Sequence, residues 1–328
     1  MMAPGTDLRD PSGDLLLCCR GRVMTKLILA GVACQGRVRY GKEVVMIEMT
    51  HGIVAGYDGS PSSGDALRWA AREAKARDTT LTVCLAWTPD HMALPTDSDL
   101  HDLARQHGQV ILARGLPYAV SVLGPARVRA ELAGGSAAHM LCERSKTADM
   151  VVVGCRGHSE LPGLLLGSVS WQVAGHACGR VVVVRGAWRP ANQSPGPVVA
   201  GVDGSPAAHA AVVFAFEEAA LRDVPLVAVC ALTDTAGRLG EGHQVEEDFQ
   251  HLMACEAKEH PEVTVVQRVL AGTPRAALLT ASADAQMLVV GSRGRDGVEG
   301  MRLGSVAQAI LHHAPCPIGV VHTTAHGR

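Results

Sequence analysis

Aromatic residues make up only 3% of this 328-residue chain, and no uninterrupted apolar run reaches the ~20 residues that a spanning helix needs. Few aromatics leave few platforms for stacking single-stranded bases. No Lys/Arg cluster stands out either, and the formal net charge is −2. A nucleic-acid surface needs a basic stripe, so nucleic acid is excluded as a partner, and a membrane with it. The ten cysteines contain no C-x-x-C and no regular spacing. Cys84, Cys155, Cys230 and Cys316 sit in or beside apolar runs, where a thiol behaves as a small core residue; a reducing cytoplasm fits them, and no metal site is expected. His312-His313 reads as a solvated helix end rather than a ligand pair. Also missing are the G-x-x-x-x-G-K-[S/T] loop, the G-x-S-x-G elbow, H-E-x-x-H, and the SGGxDS and HIGH signatures of adenylating folds. Nothing here is an obvious engine for turnover, and no catalytic residue is assigned.

What the chain has is glycine, arranged in a pattern that occurs twice. Gly154-Cys-Arg-Gly157 is followed after nine residues by Gly167-Ser168, and Gly291-Ser-Arg-Gly294 after nine residues by Gly304-Ser305. Each copy follows an apolar run, Met150–Val153 or Met287–Val290, and precedes a helix-like stretch. Glycine at a strand-to-helix junction lets backbone approach a phosphate, whose charge the helix N–H groups and dipole then hold. A single G-x-x-G is an ordinary turn; the longer pattern, duplicated, points to nucleotide binding. Arg156 and Arg293 fall inside the loops, where a phosphate contact and simple solvent exposure are equally good readings.

The first fifty residues differ from the rest. Leu15–Cys19 and Leu27–Cys34 are short apolar runs, interrupted by Arg20, Arg22, Lys26, Arg37 and Arg39, and Asp7, Asp10 and Asp14 argue against a secretory signal. We expect a poorly ordered extension over residues 1–50; a translational start at Met46 or Met49 would fit it. A first domain is expected over 51–186 and a second over 197–323. The linker 187–196 lies in a Pro- and Gly-rich stretch running from Gly186 to Pro197.

Each half alternates strand and helix. Gly52–Tyr57 runs into Asp58-Gly59-Ser60-Pro61, and Val198–Val202 into Asp203-Gly204-Ser205-Pro206. The first half continues with a helix over 65–77, a strand over 81–87 and a helix over Ser98–Arg114. A strand over Ala126–Leu132 and a helix over 136–145 precede the glycine-motif strand, and the strand Arg180–Arg185 closes the half. The second half repeats the order through strands at 226–232, 263–270 and 318–321. Apolar strands alternating with helices predict an α/β fold of two tandem doubly wound parallel-sheet domains, Rossmann-like, with strand order 3-2-1-4-5. Strands one and four are then neighbours at the switch point where such folds take ligands. That places Asp58 beside Gly154, and Asp203 beside Gly291.

These residues resemble the universal stress protein family over roughly Gly52–Gly186 and Pro197–His322. The G-x-x-G, nine residues, G-[S/T] pattern looks like that of its ATP-binding branch, and the Gly-x-Asp-Gly-Ser strand end matches as well. The resemblance implies a cytoplasmic adenine-nucleotide-binding protein of stress physiology, with ATP as bound ligand and Mg²⁺ as its companion. It implies that Asp58 and Asp203 accept hydrogen bonds from ribose or adenine and that backbone at Ala86 and Ala231 contacts adenine. It further implies that Gly154, Gly157, Gly167, Ser168 and Val169, with Gly291, Gly294, Gly304, Ser305 and Val306, hold ribose and phosphates. A turn or capping role for the two aspartates, and a capping role for the two serines, remains the plainer alternative. The fifth strands, Arg180–Arg185 and Ile318–Val321, are candidates for joining the halves into an intramolecular pseudo-dimer, and a homodimer is the family's usual assembly. A slow ATPase or autophosphorylating protein, and an interaction scaffold with vestigial pockets, stay open as other classes.

Overall fold

Valine runs bounded by Ala-rich amphipathic stretches set the architecture of this computed structural model. It describes residues 52–87, 98–157, 166–185, 196–232, 242–295 and 302–323, with two-residue strands at Cys18–Cys19, Arg22–Val23 and Ala33–Cys34. The rest of the N-terminal extension, the linker up to residue 195 and loop segments 158–165 and 296–301 lie outside the described residues. The first half runs β1 (Ile53–Gly56), α1 (Pro61–Ala76), β2 (Leu81–Trp87), α2 (Ser98–Leu123), β3 (Val128–Gly134), α3 (Ala137–Ser145), β4 (Met150–Gly154), α4 (Ser168–His176) and β5 (Arg180–Val184). The second half runs β6 (Val198–Val202), α5 (Pro206–Arg222), β7 (Leu226–Leu232), α6 (Gly242–Glu259), β8 (Val265–Ala271), α7 (Pro274–Ala281), β9 (Met287–Gly291), α8 (Ser305–His313) and β10 (Ile318–Val321).

The sheet order is β8-β7-β6-β9-β10-β5-β4-β1-β2-β3, with Ala33–Cys34 against β3. Within each half this is the order 3-2-1-4-5, all parallel. Val151–Val153 and Val181–Val184 are buried on both faces of the sheet, as parallel strands between helix layers require. Small residues such as Ala66, Ala70, Ala74, Ala211, Ala215 and Ala219 bring α1 and α5 close onto it.

The expected helix Ser98–Arg114 and strand Ala126–Leu132 need correcting. Helix α2 continues through Pro117 to Leu123, and β3 starts at Val128. Proline removes one helical hydrogen bond. Leu116, Ala119 and Leu123 nevertheless continue the buried face at helical spacing, and their packing outweighs that loss.

At the seam β5 pairs antiparallel with β10, Val183 opposite Ile318 and Val181 opposite Val320. On one face α1 and α5 meet beside this seam through a closed ring of ion pairs. Arg77 binds Glu73 of its own helix (2.6 Å) and Glu218 of α5; Arg222 binds Glu218 of its own helix and Glu73 of α1 (2.7 Å). Glu73/Arg77 and Glu218/Arg222 occupy equivalent i,i+4 positions, so the ring has the pseudo-two-fold of the duplication. Arg180 adds a two-pronged contact to Glu217 (2.6 Å each) and lies over the Phe214 ring, as Arg222 lies over Trp69.

Candidate functional site

In each half the turn after the first strand is built by its aspartate. Asp58 Oδ1 accepts from Ser60 N–H (2.9 Å), and Asp203 Oδ1 from Ser205 N–H (2.9 Å), while the Ser60 and Ser205 hydroxyls cap α1 and α5. The second carboxylate oxygen points across to the glycine loop. A Cβ on Gly157 would lie 2.9 Å from Asp58 Oδ2, and one on Gly294 2.5 Å from Asp203 Oδ2, which also accepts from Arg295 N–H (3.3 Å). The aspartates and the glycine loops are thus brought together at the gap between strands one and four.

The glycines divide into two groups. Gly154 and Gly291 close the fourth strands against a helix start, where a Cβ would come within 2.6 Å of the Ser62 carbonyl carbon or 2.7 Å of that of Ala207. Packing alone demands glycine there. Gly167 and Gly304 are different. Their φ values of −76° and −70° suit any residue, and among the described residues a Cβ would meet nothing closer than 3.4 Å and 3.5 Å. Yet both are the N-caps of α4 and α8 and supply no capping side chain. The other described N-caps of α-helices are the hydroxyls of Ser60, Ser136, Ser205 and Thr273. A hydroxyl in place of glycine costs nothing in fold and satisfies an end N–H. Among the helices whose N-caps are described, the first turns of α4 and α8, at Ser168-Val169 and Ser305-Val306, are therefore the two whose backbone N–H groups no cap side chain covers.

Ala86 and Ala231 lie near the ends of β2 and β7, past the last residues that pair with β1 and β6, Cys84 and Cys230. Cys84 C=O accepts from Tyr57 N–H on the β1 side, and Trp87 C=O from Gly135 N–H on the β3 side (2.9 Å). By strand alternation the N–H and C=O of Ala86 turn to the β1 side, beyond its end. Leu232 C=O accepts from Gly272 N–H, so Ala231 turns likewise toward the crevice of its own half. The crevice accordingly has backbone donors and acceptors at one end, a carboxylate in the middle and an uncapped helix start at the other.

Several contacts at this site were not foreseen. Ser62 Oγ accepts from Arg156 N–H (3.2 Å) and lies 3.5 Å from Cys155 Sγ, whereas in the second half Ser205 Oγ donates to Arg293 C=O (3.2 Å). Ser170 Oγ donates to Gly154 C=O, holding α4 to its strand (2.5 Å). The repeated Asp-Gly-Ser-Pro was the signal for Ser60 and Ser205; Ser62, replaced by Ala207 in the other copy, carried none.

A family model described as "Universal stress protein family" matches residues 49–185 and again 196–322. A universal stress protein of Mycolicibacterium smegmatis is 35% identical over 284 residues, covering 83% of this chain and 97% of its own. One from Mycobacterium tuberculosis is 34% identical over 282 residues, covering 81% and 95%. Among solved structures, a universal stress protein from Archaeoglobus fulgidus aligns over 83% of this chain and 98% of its own, with TM-score 0.63 at 21% identity, which speaks to fold.

Proposed function

The chain belongs to the universal stress protein family, and from that premise we propose that it is an ATP-binding stress-response protein with one adenine-nucleotide crevice in each half. The observation that carries this reading is Gly167 and Gly304: glycine stands at both helix starts where neither backbone conformation nor packing against the described residues calls for it. What glycine adds there is open access to N–H groups at the positive end of a helix, the arrangement that binds phosphate. In the proposal Gly157, Gly167, Ser168 and Val169 hold ribose and phosphates in the first crevice, and Gly294, Gly304, Ser305 and Val306 in the second. Gly154 and Gly291 shape the loop. Asp58 and Asp203 accept from ribose or adenine, and the Ala86 and Ala231 backbones meet the adenine edge.

Among the described residues no group of three or more His, Cys, Asp or Glu could hold a metal ion. In the proposal Mg²⁺ accompanies ATP on its phosphates, as is usual for nucleotide-bound Mg²⁺. No described helix is long and apolar enough to cross a membrane, and free thiols from Cys84 to Cys316 fit a reducing cytoplasm. The β5–β10 pairing supports a pseudo-dimer within one chain; light scattering coupled to chromatography reads whether two chains associate further. The 51–186 and 197–323 domain limits belong to the same proposal.

The test is to purify the chain without added nucleotide, denature it and identify the small molecules released. Released ATP or another adenine nucleotide supports the reading. ADP together with phosphorylated protein points to slow turnover instead, and empty pockets with no ATP affinity point to a scaffold.

A further inference from the structure

The two glycine loops are joined by a relay of hydrogen bonds that the duplication has made twice. Gly167 N–H, the cap of α4, donates to Cys155 C=O (2.7 Å), and Cys155 N–H donates to Val184 C=O (2.9 Å) at the end of β5. The next residue, Arg185, crosses the seam, and its Nη1 donates to Leu311 C=O in the last turn of α8 (2.7 Å). The second half returns the connection. Gly304 N–H donates to Ser292 C=O (2.8 Å), Ser292 N–H donates to Val321 C=O (2.8 Å), and the next residue, His322, reaches Ala174 C=O in the last turn of α4 through Nε2 (2.9 Å). A carbonyl only accepts, so Nε2 carries the hydrogen. Leu311 and Ala174 each lie six residues after the serine that opens their helix, Ser305 or Ser168. Each loop therefore grips the far end of the helix whose near end forms the other half's crevice.

Resting on the nucleotide reading above, we propose that Arg185 and His322 are positioning residues that act crosswise, Arg185 serving the second crevice and His322 the first, so that occupancy of one site is felt at the other. The physical basis is the helix. Its last carbonyls carry negative charge and lack intrahelical partners, and a donor there both fixes the axis and favours charge of opposite sign at the far end. Arg185 brings a permanent cation to α8. His322 brings a weaker, uncharged donor to α4. Burial holds its imidazole below the ordinary range, the Ala174 hydrogen bond opposes this, and Arg293 and His176 push it down further. The second crevice is accordingly the more strongly supported of the two. Its neighbourhood also contains Arg293 of the second loop, whose charge acts on His322, so phosphate bound at that loop alters the field at the residue that steadies α4.

The experiment uses the full chain with one crevice blocked at a time. Gly167→Glu leaves only the second crevice, Gly304→Glu only the first, and ATP affinity is measured by calorimetry in each background. Arg185→Gln is expected to weaken ATP about fivefold at the second crevice and by less than about twofold at the first, with Arg185→Lys retaining most of the affinity. His322→Leu is expected to show the mirror pattern, and His322→Gln, which keeps an N–H donor, to rescue it. A variant that acts on the loop of its own half, on both crevices alike or on neither overturns the crosswise role. If the parent chain binds no ATP at all, the nucleotide reading itself falls and this inference falls with it.

Discussion

Replacing Arg222 by Met should be among the most damaging single changes outside the crevices. Arg222 closes the ring at the seam by binding Glu73 at 2.7 Å and Glu218 of its own helix. The carboxylates it serves are 4% and 0% exposed, so water cannot replace it. Without it both share Arg77 alone, and leaving buried charge uncompensated costs about 3–5 kcal/mol. Protonation offers a partial escape. Burial, with Glu73 nearby, pushes Glu218 up to about 7 although Arg222 and Arg77 oppose it. Burial also disfavours charge on Glu73, but there the two arginines outweigh it and the carboxyl sits below its usual range. The pair titrates as a unit. A folded-state value raised from 4.5 to about 7 means the native protein holds a proton that the unfolded chain has released. Glu218 thus contributes stability at low pH that is lost as pH rises from about 4.5 to about 7, roughly 3 kcal/mol at ~1.4 kcal/mol per unit. Loss of Arg222 raises the carboxyl further, so the cost of Arg222→Met grows with pH. Urea unfolding followed by circular dichroism and tryptophan fluorescence, at about pH 6 and about pH 8.5, reads this. We expect the variant to lose at least about 3 kcal/mol at the higher pH and clearly less at the lower, with Glu218→Leu on top of it restoring much of the loss. A cost below about 1 kcal/mol at the higher pH, or the same cost at both, would refute the argument.

Other substitutions separate packing from ligand contact. Gly154→Ala places a Cβ against the Ser62 carbonyl and should cost about 1–3 kcal/mol in urea unfolding whether or not nucleotide is present. Among the described residues, Gly157→Ala meets the Asp58 carboxylate oxygen alone; it should leave the denaturation midpoint nearly unchanged while weakening ATP binding at the first crevice, read by calorimetry in the Gly304→Glu background. Ser205→Ala removes both the cap of α5 and the bond to Arg293 C=O, and a loss of about 1 kcal/mol or more is expected in the same unfolding assay.

Much of this was legible because the chain says it twice. The valine-rich, polar-free strands suit the inside of a covered parallel sheet, and the repeated Asp-Gly-Ser and glycine motifs mark both sides of the switch point in the sequence itself. Other features depend on what lies across the fold. Pro117 hid the end of α2, since the local signal for a break was overruled by Leu116, Ala119 and Leu123 packing beneath it. The motif treats Gly154 and Gly167 alike, and only the α1 backbone beside the first tells them apart. Arg185 and His322 gave no local sign at all: their carbonyl partners lie 126 and 148 residues away along the chain. The seam ring was equally silent, being two commonplace i,i+4 pairs until the helices meet.

Calorimetric titration of the purified, nucleotide-free chain with ATP tests the central claim most directly. The account predicts saturable binding of two ATP per chain, one in Gly167→Glu, one in Gly304→Glu and none in the double variant, with circular dichroism confirming that all four proteins are folded; a Cβ at either position meets the described residues only at ordinary contact distance. No saturable binding by the parent chain, or unchanged stoichiometry in the double variant, would contradict it.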